Sequence, residues 1–344
     1  LKLNKIDDSI IMAITTEHLT KTFRIFKREA GLRGALKSFF HRKYENFTAL
    51  ADVSLEIGDG EIVGILGENG AGKTTLIKLM VGLLHPTNGN VLINGFTPWE
   101  RKHPFLRRIS VVMGNKNQLW WDIPASESFL LNQKIYGLED DQFKQTLNEL
   151  VDLLGVREKL NVQVRRLSLG ERMKMEIIAS LLHRPEIILL DEPTIGLDVI
   201  AQSKIREFVK YYNKQYRSTF LITSHYMNDI QEMCKRVVVI HKGCKFYDGN
   251  FDILVNRVNP VRKLTFEFDE LPLQHILDSL RNQFVFRLNA NFLTADLRDR
   301  EMNLLLSRLF TLNTPRSFSL EELPVEETMK SFFANPEKFI QGLG

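Results

Sequence analysis

The stretch VGILGENGAGKTT, Val63–Thr75, decides how this chain is read. It continues the apolar run EIVGIL and precedes LIKLMVGLL, so the segment reads as strand, glycine loop and helix. Gly67, Gly72, Lys73 and Thr74 fill the pattern G-x-x-x-x-G-K-[ST]. The chemistry requires these types. Glycines let backbone N–H groups close around phosphates, a lysine reaches the β and γ oxygens, and a hydroxyl binds Mg²⁺. Glu68, Asn69, Gly70 and Ala71 complete the loop, and Thr75 carries it into the helix.

Three further segments belong with this cradle. In PEIILLDEPTIGLD, Pro185–Asp198, a buried apolar strand ends in two carboxylates. Ligands of an open α/β sheet bind outside the carboxyl ends of its strands. There Asp191 can hold Mg²⁺, and Glu192 can orient or deprotonate an attacking water. FLITSHYM, Phe220–Met227, is another apolar strand with polar residues at its end, and it brings His225 within reach of a γ-phosphate. Between these strands and the loop lies RRLSLGERMKM, Arg165–Met175, where Ser168 and Glu171 have capping-box spacing. A helix N-terminus is also an anion site, so this turn poses the question of whose phosphate it meets.

Composition narrows the alternatives. The 344 residues exceed one average domain, and 44% are hydrophobic, enough for a sizeable core. A net charge of +4 is too small to imply a nucleic-acid partner. Two cysteines, Cys234 and Cys244, make no disulfide framework and fit a reducing cytosol. The sequence holds no apolar run long enough to span a bilayer, and LKLNKIDDSIIMAI at the start lacks the pattern of a signal peptide. Met12 is a candidate natural start.

The order of these motifs resembles the ATP-binding subunit of an ABC transporter, over roughly Ile14 to Asn250. GENGAGKT resembles its phosphate loop, LSLGE its signature, IILLDE its Walker B strand, GLD (Gly196–Asp198) its D-loop and SH (Ser224–His225) its switch histidine. Phe23, in LTKTF, resembles the aromatic that stacks on adenine, with ordinary strand-end packing as the alternative. The resemblance implies ATP and Mg²⁺ as ligands, with Thr74, Asp191 and Asn115 toward the metal. It implies a second copy, or a paralogous ATPase chain, packed head to tail. Ser168, Leu169, Gly170, Glu171 and Asp198 of one chain then complete the site that the other begins. It also implies permease subunits and a place on the cytoplasmic face of the membrane. Two positions depart from the family pattern. Leu169 stands where a first glycine is usual, and the Q-loop glutamine falls at Asn115, with Gln118 three residues later. The exporter branch is the one it resembles most. A non-transport ABC ATPase is the alternative, although neither tandem motif sets nor long heptads appear; the signature turn disfavours a phosphate-loop kinase.

The implied fold is an α/β phosphate-loop NTPase core with antiparallel β and helical subdomains, followed by a small α+β C-terminal domain. We expect the ATP-binding domain over 1–256, with its helical subdomain at about 118–183, and the C-terminal domain over 257–344. Helices are expected over Gly72–Leu84, most of Ser126–Leu154, Ser168–His183 and Ile200–Tyr212, and a hairpin turning at Lys242–Gly243. An insertion, Arg24–Phe47, holds seven Lys/Arg against two Glu, with Leu32, Leu36, Phe39 and Phe40 at helical spacing. It reads either as a solvated cap or as a basic amphipathic helix near anionic lipid headgroups or the membrane partner. Trp120 and Trp121 lie either near the groove that receives that partner or inside the helical subdomain. After Asn250 the pattern is β-α-β-β-α-β, closed by a helix in LPVEETMKSFF. It contains no titratable cluster and reads as a regulatory or dimer-supporting appendage.

Overall fold

The computed structural model describes residues 12–26, 44–114, 118–224, 226–258, 261–269, 274–281, 283–312, 315–322 and 325–340. Chain contacts divide it into two units, Leu1–Phe251 and Asp252–Gly344, five residues ahead of the boundary expected from sequence. Asn115, His225 and the apolar stripe of the insertion lie outside the described residues.

In the first unit the strands are β1 (Met12–Phe26), β2 (Tyr44–Gly58), β3 (Ile62–Leu66), β4 (Asn88–Ile93), β5 (Ile109–Met113), β6 (Ile187–Asp191), β7 (Thr219–Thr223), β8 (Arg236–His241) and β9 (Cys244–Asn250). Its helices are α1 (Lys73–Met80), α2 (His103–Leu106), α3 (Ala125–Tyr136), α4 (Asp140–Leu154), α5 (Leu169–Leu181), α6 (Val199–Tyr216) and α7 (Met227–Met233). The central sheet runs β5-β6-β7-β3-β8-β9, parallel except for β9. Its inner strands are covered on both faces, which is why VVVI and IILL read as unbroken apolar runs. A smaller antiparallel sheet, β2-β1-β4, packs its apolar face with α1 into the main core around Leu50, Val63, Ile65 and Leu76.

Several expectations shift at the ends of elements. The helix after the phosphate loop stops at Met80, because Val81–Leu84 turn back with Leu83 and Leu84 both bonded to the Lys78 carbonyl. The D-loop helix begins at Val199 and runs on to Tyr216, since Arg217 takes the left-handed conformation that ends it. The flanks of the expected insertion are strand: Arg24–Phe26 pair with Tyr44–Asn46, so the β1–β2 hairpin reaches further than the sequence implies. Lys242 and Gly243 both have positive φ at the β8–β9 turn, as a two-residue hairpin with right-handed strand twist requires.

The second unit begins with α8 (Phe251–Val258), whose first residue belongs to the unit before it. There follow β10 (Val261–Glu267), α9 (Gln274–Arg281), β11 (Phe286–Asn289), β12 (Phe292–Arg298), α10 (Asp299–Leu312), β13 (Ser317–Glu322), α11 (Val325–Ala334) and α12 (Pro336–Ile340). The four strands form one antiparallel sheet, β11-β12-β10-β13. Leu264, Phe266, Leu293 and Leu297 on one face pack with Leu277, Leu280, Leu305 and Leu309 of the two helices. This is the β-α-β-β-α-β unit expected from the alternation of patterns.

One packed histidine gives the first unit a pH response. His183, just past α5, stacks flat on Tyr136 at 3.9 Å and shares a 3.3 Å hydrogen bond with the Ile109 carbonyl. Burial pushes its imidazole down to about 4; Arg107 acts in the same direction and the Ile109 carbonyl opposes. The folded value lies below the unfolded value of about 6.5, so between the two only the unfolded chain takes the proton. Stability is therefore full above about 6.5 and is lost as pH falls toward about 4. The thermal midpoint is expected to fall less between pH 7 and pH 5 in His183→Gln than in the wild type; equal falls would contradict this role.

Candidate functional site

The phosphate loop joins β3 to α1, and Gly72 makes the junction. Its φ of 114° is one that side-chain-bearing residues rarely adopt, and a Cβ there would lie 2.6 Å from the Ala49 carbonyl oxygen. The loop leads directly into the head of α1, where the helix dipole favours an anion. Lys73 is buried, and its ammonium spans the loop, donating to the carbonyls of Gly67 at 2.6 Å and Glu68 at 3.1 Å. Burial lowers its pKa, while Glu192, Asp191 and Glu68 pull the other way. A triphosphate adds negative charge and favours the ammonium further. Glu68, Asn69 and Gly70 are exposed at the loop's outer edge, whereas Ala71 is buried and Thr75 half-buried.

Asp191 is the pivot. The Thr74 hydroxyl donates to one carboxylate oxygen at 2.9 Å, and the Thr223 hydroxyl donates to the other at 2.6 Å. Thr74 and Asp191 thus present two hard oxygen donors side by side, a pair that suits Mg²⁺ completed by phosphate oxygens and water. Such an ion would neutralise phosphate charge. Glu192 follows in the left-handed region, φ 54°, and its amide is bonded to both the hydroxyl and the carbonyl oxygen of Thr223. A non-glycine residue in this conformation costs about 1–3 kcal/mol and persists only where neighbours hold it. Sequence reasoning passes over Thr223 in favour of Ser224 and His225, although a polar residue closing the run FLIT is a visible signal. Ser224 is buried and accepts from the Tyr226 amide.

The signature turn is a complete capping box. Ser168 Oγ accepts from the Glu171 amide at 3.2 Å, and the Glu171 carboxylate accepts from the Ser168 amide at 2.9 Å. The Ser168 amide holds the Glu171 carboxyl below the usual range, with help from Lys159. Gly170 is buried against the start of α6, where a Cβ would come 2.9 Å from that of Ala201. Leu169, at the position of the missing glycine, packs toward Gly196. Asp198 caps α6 by accepting from the Ala201 amide at 2.8 Å. The signature and D-loop are therefore one packed unit. Large apolar groups stand on its surface: Leu169 and Ile195 are each 38% exposed, Val199 75% and Ile200 81%.

Of the two Q-loop candidates, the structure describes Gln118. Its side chain donates to the Val111 carbonyl at 2.5 Å, and its amide donates to the buried Glu176 carboxylate. Gln118 thus fastens β5 to the helical subdomain through its N–H groups, and these bonds do not use its side-chain carbonyl oxygen, the atom suited to a metal or water. Beside it a cavity of about 570 Å³ opens between the core and the helical subdomain, lined by Leu106, Val111, Met113 and Ile135 with Arg101 and Arg107. Trp120 and Trp121 are 62% and 43% exposed, which excludes their burial within the helical subdomain. Phe23 is half-buried at the hairpin, level with Phe47, and the Lys21 ammonium lies 5.2 Å from its ring centre.

The chain matches the family model described as ABC transporter over residues 50–195. It is 37% identical over 215 residues to the ABC transporter ATP-binding protein NatA of Bacillus subtilis (strain 168), covering 62% of this chain and 87% of that protein. The chain belongs to the ABC transporter family. It is an ATP-binding subunit, the ATPase of a transporter. The family relationship extends to the methionine import ATP-binding protein MetN 1 of Acinetobacter baylyi (strain ATCC 33305 / BD413 / ADP1), 30% identical over 284 residues and 80% of each chain. A dimeric ATP-binding cassette solved in a post-hydrolysis state with ADP and Pi shares the ABC fold at a TM-score of 0.57 and 23% identity, over 69% of this chain and 98% of that one.

Because the Gln118 side chain is held against β5 by its N–H bond to the Val111 carbonyl, Gln118→Ala is expected to lower Mg²⁺-dependent turnover by less than about threefold, a change of under ~1 kcal/mol in the barrier. A loss of about a hundredfold with normal folding would return Gln118 to the metal or water.

Proposed function

We propose that this ABC ATPase works as a dimer around two ATP molecules and drives the membrane subunits of an exporter. The observation that carries the two-chain reading is the exposed pair Val199 and Ile200 beside the signature turn. Large apolar side chains grouped at a helix start mark an interaction surface. The hydrogen bonds of Ser168 and Glu171 run within their own turn and to Lys159, which leaves the anion-binding end of α5 to face another molecule. Each site then takes its phosphate loop from one chain and Ser168 and Gly170 from the other. The fold relative solved as a dimer with ADP and Pi supports the arrangement.

In the mechanism that follows, Phe23 stacks on adenine, the loop amides and Lys73 hold the phosphates, and Thr74 with Asp191 faces Mg²⁺. Glu192 accepts a proton from the attacking water while His225 steadies the γ-phosphate, and Asn115 takes the Q-loop role. Hydrolysis puts one new oxygen on phosphorus and releases ADP. The groove beside β5 and the exposed Trp120 and Trp121 receive a cytoplasmic segment of the permease, which holds the chain at the membrane. Export rests on the chain's resemblance to exporter ATPases in the basic 24–47 insertion and in the stretch Asn117–Phe129. MetN 1, named for import, favours the second reading, uptake.

Glu192→Gln is expected to bind ATP and accumulate as a dimer while turnover falls ~10²–10⁴-fold. Near-normal steady-state hydrolysis would reject the base assignment. Trp120→Ser with Trp121→Ser should abolish copurification with a polytopic membrane protein and leave the hydrolysis of the isolated chain intact. Copurification only with soluble machinery would instead favour a non-transport ABC ATPase. Cells carrying the chain and its permease should gain resistance to a toxic amphiphile that Glu192→Gln removes, whereas sensitisation would favour uptake.

A further inference from the structure

A second set of buried polar groups lies behind Glu192 and outside the roles given above. Thr194, Arg206 and Asp229 are 1%, 8% and 1% exposed and come from three different elements. Thr194 lies two residues after Glu192, Arg206 is on the helix that Asp198 caps, and Asp229 is on α7, four residues after His225. The Thr194 hydroxyl donates to one oxygen of Asp229, and Arg206 donates to the other at 2.7 Å. Through its Nε, Arg206 also reaches Glu232 at 3.0 Å. Gln202, one turn before Arg206, holds the same loop by its backbone, donating to the Leu197 carbonyl at 3.1 Å.

We propose that Thr194, Asp229 and Arg206 are positioning residues for hydrolysis, which hold the Glu192 turn, the D-loop helix and α7 in one fixed register. The inference rests on the reading of Glu192 as the base. The physical case has two parts. First, Glu192 occupies a left-handed backbone conformation that it does not favour by itself. Thr223 fixes its amide from one side, and the Thr194–Asp229 bond fixes the chain two residues further on. Second, both oxygens of a carboxylate shielded from water are engaged, by a hydroxyl and by an arginine. A buried carboxylate so paired cannot shift without leaving a charge unmatched. The elements it joins therefore move together or not at all. A change at the D-loop, where a second chain would press on Val199 and Ile200, reaches the base through Arg206 without any contact to nucleotide. None of the three residues touches the phosphate loop in the contacts described above, so their effect falls on the rate of the chemical step and not on nucleotide affinity.

The test compares two small substitutions at Thr194 in the full chain, read as kcat, KM for ATP and the dissociation constant of a fluorescent ATP analogue. Thr194→Val keeps the shape and removes the hydroxyl; Thr194→Ser keeps the hydroxyl. The valine variant should lose about tenfold or more in kcat, since small misplacements of a reacting group cost up to ~10²-fold. Its KM and analogue affinity should stay within about twofold, and the serine variant should recover most of kcat. A kcat for Thr194→Val within about twofold of the wild type overturns the proposal, as does an equal loss in both variants. A double variant separates positioning from mere stability. Asp229→Leu combined with Arg206→Met replaces the ion pair by apolar volume, which is often neutral or stabilising. It should melt no lower than about the wild-type temperature and still hydrolyse ATP slowly. Full activity in this stable double variant would show that the pair only holds the fold. Glu192→Gln measured alongside separates the two failures. If it remains active, the reading of the site is wrong; if it is inactive while the Thr194 and double variants are normal, only the positioning role is wrong.

Discussion

The structure turns on one carboxylate with two partners. Asp191 ends β6, and its two oxygens accept hydroxyl bonds from Thr74 at the head of α1 and from Thr223 at the end of β7. Neighbouring strands of the parallel sheet and the phosphate-loop helix are thereby tied at the single edge where phosphate must sit. The parallel register of β6 with β7 and of β7 with β3 delivers these groups to that edge together. Every other feature of the site hangs from this point. Thr223, having engaged Asp191, also holds the amide of Glu192, and Gly114 at the end of β5 donates its own amide to the Asp191 carbonyl.

Much of this is legible in the sequence because the relevant constraints are local. The phosphate loop needs glycine where φ is positive, and Gly72 stands there. The capping box at Ser168 and Glu171 is a four-residue pattern whose two hydrogen bonds both form. The four strands and two helices of the C-terminal sheet follow from a change of period between 2 and 3.6 residues. What the sequence does not yield are contacts between distant segments. Thr223 and Asp229 each act across more than thirty residues, and nothing in their local pattern marks a partner. Gln118 is another such case: its backbone amide meets the carboxylate of Glu176, 58 residues away, which nothing in its local pattern marks. Leu169 is explained only by its neighbour Gly196, which leaves room for a side chain where the family carries a glycine.

The arrangement also explains why large apolar groups stand exposed. Among the described residues no helix is long and apolar enough to cross a membrane. Among the exposed large apolar groups are Val199 and Ile200 at the D-loop, Trp120 and Trp121 ahead of α3, and Ile25, Tyr44 and Phe47 at the end of the β1–β2 hairpin. Apolar groups exposed in several segments suit a motor that binds a second copy and a membrane partner. The D-loop joins the signature turn, which packs on it, to α7, to which the buried Arg206–Asp229 pair leads.

The central claim is that each nucleotide site is shared between two chains. It is tested most directly by disulfide cross-linking between Asn69→Cys on one chain and Ser168→Cys on another, with Cys234 and Cys244 replaced and Glu192→Gln present to retain ATP. The two chains carry different tags, and a bond requires Cα atoms within about 7 Å. The account predicts a cross-linked pair bearing both tags that forms with Mg-ATP and is absent without nucleotide. If no such pair forms, while a single chain carrying both cysteines closes a bond within itself when ATP is bound, Ser168 serves its own phosphate loop and the shared site does not exist.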